Sequence, residues 1–493
     1  MRSLLFVLLV LFAIAAASTA FGDTVVPSGD VAGTWSVAGS PCLIQGDITV
    51  PEDSVLTIAP GVEIQFEGHY RFSIEGALTA VGTAQDSIRF TAVDPQEWQG
   101  IRIQDSADPT QLGYCIIERG AATGSGNDQY GGGIYCASSV ASISHCTIQN
   151  NRALGQGGGL CIELPPGEAV ATLSDCTIRG NQAGLNGGGI YYAGPHVVLQ
   201  RCQLLANQSD QSGGGVYCFV YLERTAQIDG CTFTDNQSED DGGGLEISGG
   251  GGIECAVSEC AFSENRCPGE GGAIRIQASV ATVTDCSFFS NAYLSGADGA
   301  AIYVIGSTST ISHCTFDHHF ASVGAVNCHC SDTRIESCTF SQNIAYNTGY
   351  DLYLPGNAAA GATIVNTIFS GNTLAGWQEA MVFLGEGTYT VEYCDIFARG
   401  GAQTFAGVGV PVDLGSLVSI NAVGDSCDAY SNILLRPRLC DITYGAPGDL
   451  RLAEDSPCLG AGEGGVDIGA LGIGCTVSPV EEITWGRLKS LYR

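Results

Sequence analysis

The chain has 493 residues and a formal net charge of −32, from 51 Asp and Glu against 19 Lys and Arg. Only 14% of its residues are charged, against about a quarter in ordinary soluble domains. So acidic a balance argues against nucleic acid or an anionic membrane as partner. It favours cations, calcium foremost outside a cell, or serves to keep a glycine-rich surface soluble.

The chain opens Met1-Arg2, runs through apolar residues from Leu4 to Ala17, and reaches small residues at Ser18-Thr19-Ala20. This predicts a secretory signal peptide over residues 1–22, too short to span a bilayer. The first cysteine after it is Cys42, which disfavours a lipoprotein anchor, and no later apolar run reaches spanning length. The mature protein is expected to be exported, soluble and monomeric, with no transmembrane insertion.

Residues 23–114 are assigned to an N-terminal cap and the first coils of a solenoid, and residues 115–412 to its repeats. Two phrases alternate there. One is a glycine step into an aliphatic strand: Gly131-Gly132-Gly133-Ile134, Gly157 to Leu160, Gly187 to Ile190, Gly213 to Val216, Gly242 to Leu245 and Gly271-Gly272-Ala273-Ile274. The other is Cys-Thr-Ile/Phe-x-x-Asn, as in Cys176 to Asn181 and Cys231 to Asn236. A period of roughly 28 residues carrying several short strands predicts stacked turns, each burying its face on the next.

Counted from the start of each step, the fourth and sixth residues are of buried type, as in Ile134 with Cys136 and Leu245 with Ile247. Strand alternation therefore sends the fifth outward. The fifth residues are Tyr135, Cys161, Tyr191, Tyr217, Glu246, Arg275, Tyr303 and Asn327. Asn151, Asn181, Asn207, Asn236 and Asn265 fall at a turn, where an amide can bond backbone groups the corner leaves unpaired, a structural role.

The glycine steps alternate with Phe-x-x-Asn at Phe233–Asn236, Phe262–Asn265, Phe288–Asn291, Phe340–Asn343 and Phe369–Asn372. This resembles the repeats of the chlamydial polymorphic outer-membrane proteins and, more broadly, the right-handed parallel β-helix or pectate-lyase-like superfamily. The resemblance spans about residues 115 to 400. It implies an all-β, right-handed parallel β-helix solenoid of roughly a dozen rungs, capped at both ends, secreted or displayed at a cell surface, often for adhesion. Those relatives end in a membrane barrel; here a short polar tail runs to Arg493, so that anchor is not expected.

Residues 413–475 are expected to form a C-terminal cap, in which Cys427, Cys440, Cys458 and Cys475 make two disulfides by one of three pairings. Residues 476–493 make a linker and a short basic amphipathic tail, either a docking signal or a disordered end. Ten cysteines recur at the repeat position, from Cys115 to Cys394. They are expected to stay reduced and buried, because stacked rungs hold Cβ atoms about 4.8 Å apart where a disulfide wants roughly 3.8 Å. Cys255–Cys267 and Cys328–Cys330 are the candidate exceptions.

Three acidic residues precede glycine steps in successive rungs: Asp241, Glu270 and Asp298. Stacked carboxylates repel unless a cation, raised pKa values or outward splay relieves them. They are therefore candidate calcium ligands, or, with Asp240, the acid/base residues of a glycan-cleaving enzyme, or an exposed acidic turn. No other cofactor is called for. Tyr191 and Tyr217, continued by Glu246 and Arg275, make a candidate ligand-binding face for sugar rings, though cross-strand stacking alone also accounts for the tyrosines. His318 and His319 in Asp317-His318-His319 should point to opposite faces and share no site.

No lysine lies in the solenoid, Lys489 being the sole one, whereas the resemblance implies lyases that recruit Lys or Arg. The leading expectation is a non-catalytic adhesin or glycan-binding scaffold, partnered by a polysaccharide or a cell-surface glycan or protein. The alternative is a polysaccharide lyase or glycoside hydrolase using Asp240, Asp241 and Glu270. A structural envelope protein is the third.

Overall fold

Like residues lie over like from one turn to the next: Ile134 pairs with Leu160, Leu160 with Ile190, Ile190 with Val216, and Val216 with Leu245, all parallel. The computed structural model shows an all-β solenoid and describes residues 23–476. Within that span residues 105, 107–109, 139–140, 168, 293–297, 346–350, 357–359, 371–380, 398–404 and 442–446 are not described. The expected signal peptide, the tail beyond residue 476 and Asn372 lie outside the described residues. Among the described residues there is no α-helix, and no helix long and apolar enough to cross a membrane.

One side of the solenoid is a parallel sheet of 15 strands in chain order, from Thr24–Val26 to Asp395–Phe397. The remaining faces form a 24-stranded sheet. In mid-chain two of its segments fuse into single long strands, as in Ile190–Gln200 and Val216–Asp229. A small five-stranded ladder, from Ala121–Ala122 to Gln237–Ser238, fills a corner.

Identical positions stacked at strand spacing make columns of identical chemistry. Phe233, Phe262, Phe288, Phe316, Phe340 and Phe369 run down the core, with ring centroids 4.6, 5.1, 5.0, 4.6 and 4.8 Å apart. Such ring pairs contribute about 1 kcal/mol each beyond area burial. Beside them runs a buried amide ladder. Asn181 Nδ2 donates to Asn207 Oδ1 at 3.0 Å and to the Ile148 carbonyl at 2.9 Å. The pattern recurs through Asn207, Asn236 and Asn265. The residue before each amide is left-handed, as Ala206 (φ 52°), Asp235 (φ 53°) and Glu264 (φ 58°). The corner thus turns too sharply for its own backbone pairing, and the amides supply the missing partners. These asparagines are structural.

The cysteine column is likewise internal. Each repeat thiol lies against backbone carbonyls, Cys176 Sγ donating to Ser174 O at 3.2 Å. All are reduced, and Cys255, Cys267, Cys328 and Cys330 are also separate buried thiols, so neither candidate exception pairs. The cap departs from expectation too. It holds one disulfide, Cys440–Cys475, while Cys427 and Cys458 stay separate buried thiols, Cys427 against Ser419 Oγ and Cys458 against Asp395 Oδ2. The cap folds back along the 15-stranded sheet. Gly448 N donates to Asp317 Oδ2, Ala470 N to Thr339 Oγ1, Glu463 N to Asn366 Oδ1 and Leu435 N to Asp395 Oδ1.

Candidate functional site

The first glycine of each step has positive φ: 61° at Gly131, 67° at Gly213, 59° at Gly242 and 69° at Gly271. A side chain there is excluded twice over. The backbone is left-handed, and a Cβ on Gly242 would lie 2.8 Å from Glu246 Cβ; glycine alone meets both conditions. The turn folds the residue before the glycine back over the fifth residue of the strand. That fold-back produces the site.

The fifth residues do leave the solenoid core, as alternation requires, but they do not form an exposed ridge. Tyr135 is 1% exposed, Tyr191 9%, Glu246 4%, Tyr303 7% and Asn327 2%. Strand register assembles them into one column, Arg102–Tyr135–Cys161–Tyr191–Tyr217–Glu246–Arg275–Tyr303–Asn327–Tyr353. Arg102 and Tyr353 were missed from sequence because neither follows a full Gly-Gly-x step; Gly100 takes the place of Gly133, next to the strand, and Trp98 that of the first glycine. Tyr191 and Tyr217 stack on each other, centroids 5.6 Å apart and planes within 4°. Each therefore spends one ring face on the other, as cross-strand pairing provides.

The column turns charged in two rungs. Arg275 Nη1 donates to Glu246 Oε1 at 2.9 Å, and its Nε lies 3.0 Å from Glu270 Oε2 and 3.3 Å from Asp241 Oδ2. Asp241 Oδ1 accepts from the Glu270 amide at 2.7 Å. One guanidinium thus joins three carboxylates on two rungs, and Glu246 and Arg275, neighbours in the column, pair with each other. Side-chain exposure grades outward from Glu246 (5%) through Arg275 (14%) and Asp241 (22%) to Glu270 (32%). Asp298 pairs with Glu270 along the backbone and stands one rung further on. Asp240 is exposed, and its backbone bridges to Gln211 and Gly269. Relief of the stacked carboxylates comes from Arg275, which lies between Asp241 and Glu270. Among the described residues no three metal-ligating side chains converge.

Burial pushes the Glu246 carboxyl up to about 7, against the pull of Arg275. Burial also raises Asp241 and Asp298 above the usual carboxylate range. Glu246 Oε2 is buried and has no hydrogen-bond partner. A carboxyl group that exchanges its proton near neutrality, beside two further carboxylates and a cation, is equipped for acid/base work.

Two residues beyond Tyr217 on the same strand, about 7 Å along, a groove of about 380 Å³ opens between Pro166, Pro195, Phe219, Tyr221 and Arg224. Phe219 is 40% exposed there. Ser248 Oγ donates to Tyr217 Oη at 2.9 Å. The histidines divide, though at a left-handed corner (His318 φ 59°) rather than along an extended strand. His319 replaces an amide in the inner ladder, its Nδ1 3.1 Å from Asn291 N. Burial holds His319 down at about 4, hence neutral. His318 turns to the other side, Nδ1 2.9 Å from Asp317 Oδ1.

Residues 79–316 and 300–430 match the family described as the right-handed β-helix region. The chain belongs to that family. The match reaches the right-handed β-helix region and gives no support to the polymorphic outer-membrane repeat. Among solved structures, this β-helix is similar to the Agl-KA catalytic domain, at 13% identity and a TM-score of 0.37. The match covers 73% of this chain and 60% of that domain, and is a likeness of fold only. Curated proteins give no match.

Proposed function

We propose that this β-helix is an exported, carbohydrate-active protein that cleaves a polysaccharide at the Arg275 cluster. The observation that carries the reading is Glu246, a carboxyl pushed up to about 7 and held by the same guanidinium as the more exposed Asp241 and Glu270. Glycan cleavage by hydrolysis needs one carboxyl able to give a proton and another able to act as base or nucleophile. Glu246 takes the first role and Asp241 or Glu270 the second. Arg275 stands between Glu246 and solvent, so an entering sugar displaces it toward the two outer carboxylates. Asp240, exposed at the rim, contacts substrate rather than the reacting bond.

A second reading, a non-catalytic adhesin or glycan-binding scaffold, is favoured by the groove at Phe219 and Tyr221, whose exposed aromatic faces suit sugar rings without chemistry. Incubation of the mature protein with a polysaccharide panel, with calcium and with chelator, separates the two. New reducing or unsaturated ends that vanish in Glu246→Gln support cleavage. Binding without new ends sinks cleavage and leaves the scaffold. Calcium dependence would place an ion on Asp241, Glu270 and Asp298.

A further inference from the structure

Apolar side chains are left in water chiefly where the C-terminal cap begins. Val408, Val412, Leu417, Val418, Ile420 and Val423 are all exposed, Val412 by 79% and Ile420 by 71%. Single apolar side chains in water are ordinary, but such a run within one short segment marks a surface that something covers. The segment is held in shape. Val418 N donates to the Cys427 carbonyl at 2.9 Å, Asn421 Oδ1 accepts from Val423 N at 3.2 Å and from Asp425 N at 2.8 Å, and Tyr430 Oη donates to the Val412 carbonyl at 2.9 Å. The apolar face is therefore formed in advance of any partner. Charge narrows what that partner is: from Val408 to Leu435 the chain carries Asp413, Asp425 and Asp428 and no basic residue. A fitting occupant is apolar on one side and basic.

Residues 485–493, which lie beyond the described residues, have that chemistry. At helical spacing Trp485, Leu488, Leu491 and Tyr492 fall in one stripe about 120° wide. Arg487, Lys489 and Arg493 bring positive charge, with no acid from Ile483 onward. The stretch also departs from the module that bears the apolar face. Cys475 is bonded to Cys440, and Ile473 pairs with Leu452, which packs in one cluster with Cys427 of the short hairpin that carries Ile420. Residues 476–484 reach about 30 Å when extended. We infer that the 408–423 surface is the seat of the same chain's residues 485–493, the apolar stripe lying on Val412, Val418, Ile420 and Val423 and the cations facing Asp413 and Asp425. So short a tether holds the tail at an effective concentration of about a millimolar, which favours the chain's own tail over that of a second copy. The inference is independent of the glycan reading.

Trp485 reports the docking in the full mature chain. Its emission, read as the difference between wild type and Trp485→Phe, should be blue-shifted and severalfold less quenched by acrylamide than the same indole in a free peptide of residues 477–493. Ile420→Asp changes a side chain already in water, so it should move that emission to the free-peptide value with the circular dichroism unchanged. Val412→Asp, ahead of the hairpin, should do the same, and high salt should weaken the docking by screening the tail's cations. Trp485 emission in wild type equal to that of the peptide overturns the inference. A protected indole that neither variant releases also overturns it, since the tail then lies elsewhere. Protection that appears only as the protein associates at rising concentration overturns it too, and assigns the surface to a second copy.

Discussion

Asp395 and Cys458 meet at the seam between the last rung and the C-terminal cap, the Cys458 thiol lying 3.2 Å from Asp395 Oδ2 with both side chains fully buried. Leu435 N donates to the other carboxyl oxygen at 3.1 Å. Burial without a cationic partner pushes Asp395 up to about 8. The groups that act on it are Cys458, the Leu435 amide and the charge of Asp425, and none is basic. The cap is therefore latched by a protonated acid.

The sign of the resulting pH dependence follows from that protonation. The unfolded carboxyl has a pKa of about 3.9, so between about pH 4 and pH 8 the folded state holds a proton the unfolded state has lost. The latch stabilises fully below about pH 4, loses strength as pH rises, and is spent above about pH 8. The slope reaches at most about 1.4 kcal/mol per pH unit. Urea unfolding across this range should show that decline, and Asp395→Asn should flatten it. An unchanged slope in the variant would remove Asp395 as its source.

Arg275 pairs with three carboxylates, two of them largely buried. Arg275→Ala should cost about 3 kcal/mol, the usual penalty for stranding a buried charge, with the loss easing at low pH as Glu246 and Asp241 protonate. Arg275→Lys should rescue only part, since an ammonium cannot present the same fork of donors. Thermal unfolding at neutral and acid pH reads both. A neutral Arg275→Ala would mean the cluster is solvated and the pairing incidental.

Asn236 sits mid-ladder, accepting from Asn207 and donating to Asn265 Oδ1 and the Leu204 carbonyl. Asn236→Ala leaves a buried backbone N–H and a carbonyl unpaired and should cost roughly 3 kcal/mol. Asn236→Asp should not repair it, because the lost donor is the amide NH₂. Urea midpoints with unchanged m-values would check this.

Of the 22 cysteines, two form the Cys440–Cys475 disulfide, leaving 20 buried thiols. All 20 are closed off from solvent, and burial pushes Cys136, Cys255 and Cys267, which have no thiol neighbour among their hydrogen bonds, up to about 12. Native protein should therefore resist alkylation, and denatured protein should take up 20 labels by mass. Rapid native labelling of the repeat cysteines would contradict the closed core.

The repeat chemistry was legible because a solenoid makes periodicity local. Ile148, Ile178 and Leu204, then Phe233 to Phe369, occupy one column simply because each turn repeats the spacing of the last. The same logic placed the asparagines at the left-handed corner and kept the repeat cysteines from bridging. Arg275 and Glu246 likewise fall in one column, being fifth residues on neighbouring rungs. What alternation could not show is what covers an outward side chain. Tyr135 and Tyr191 leave the core as expected but are buried by the turn that Gly131 and Gly187 fold over them.

The sequence by itself determined the parallel stack, its register and the identity of each column, since all three follow from strand period and a repeated turn. The tertiary structure alone decided that Arg275 reaches Asp241 and Glu270 as well as Glu246. It alone decided that the cap covers the sheet down to Asp317, and that Cys427 and Cys458 stay reduced. These outcomes depend on where long or loop-borne side chains come to rest in three dimensions. No period in the chain records that, because periodicity does not fix how far a long side chain reaches, and the cap contacts join residues whose spacing is not repeated.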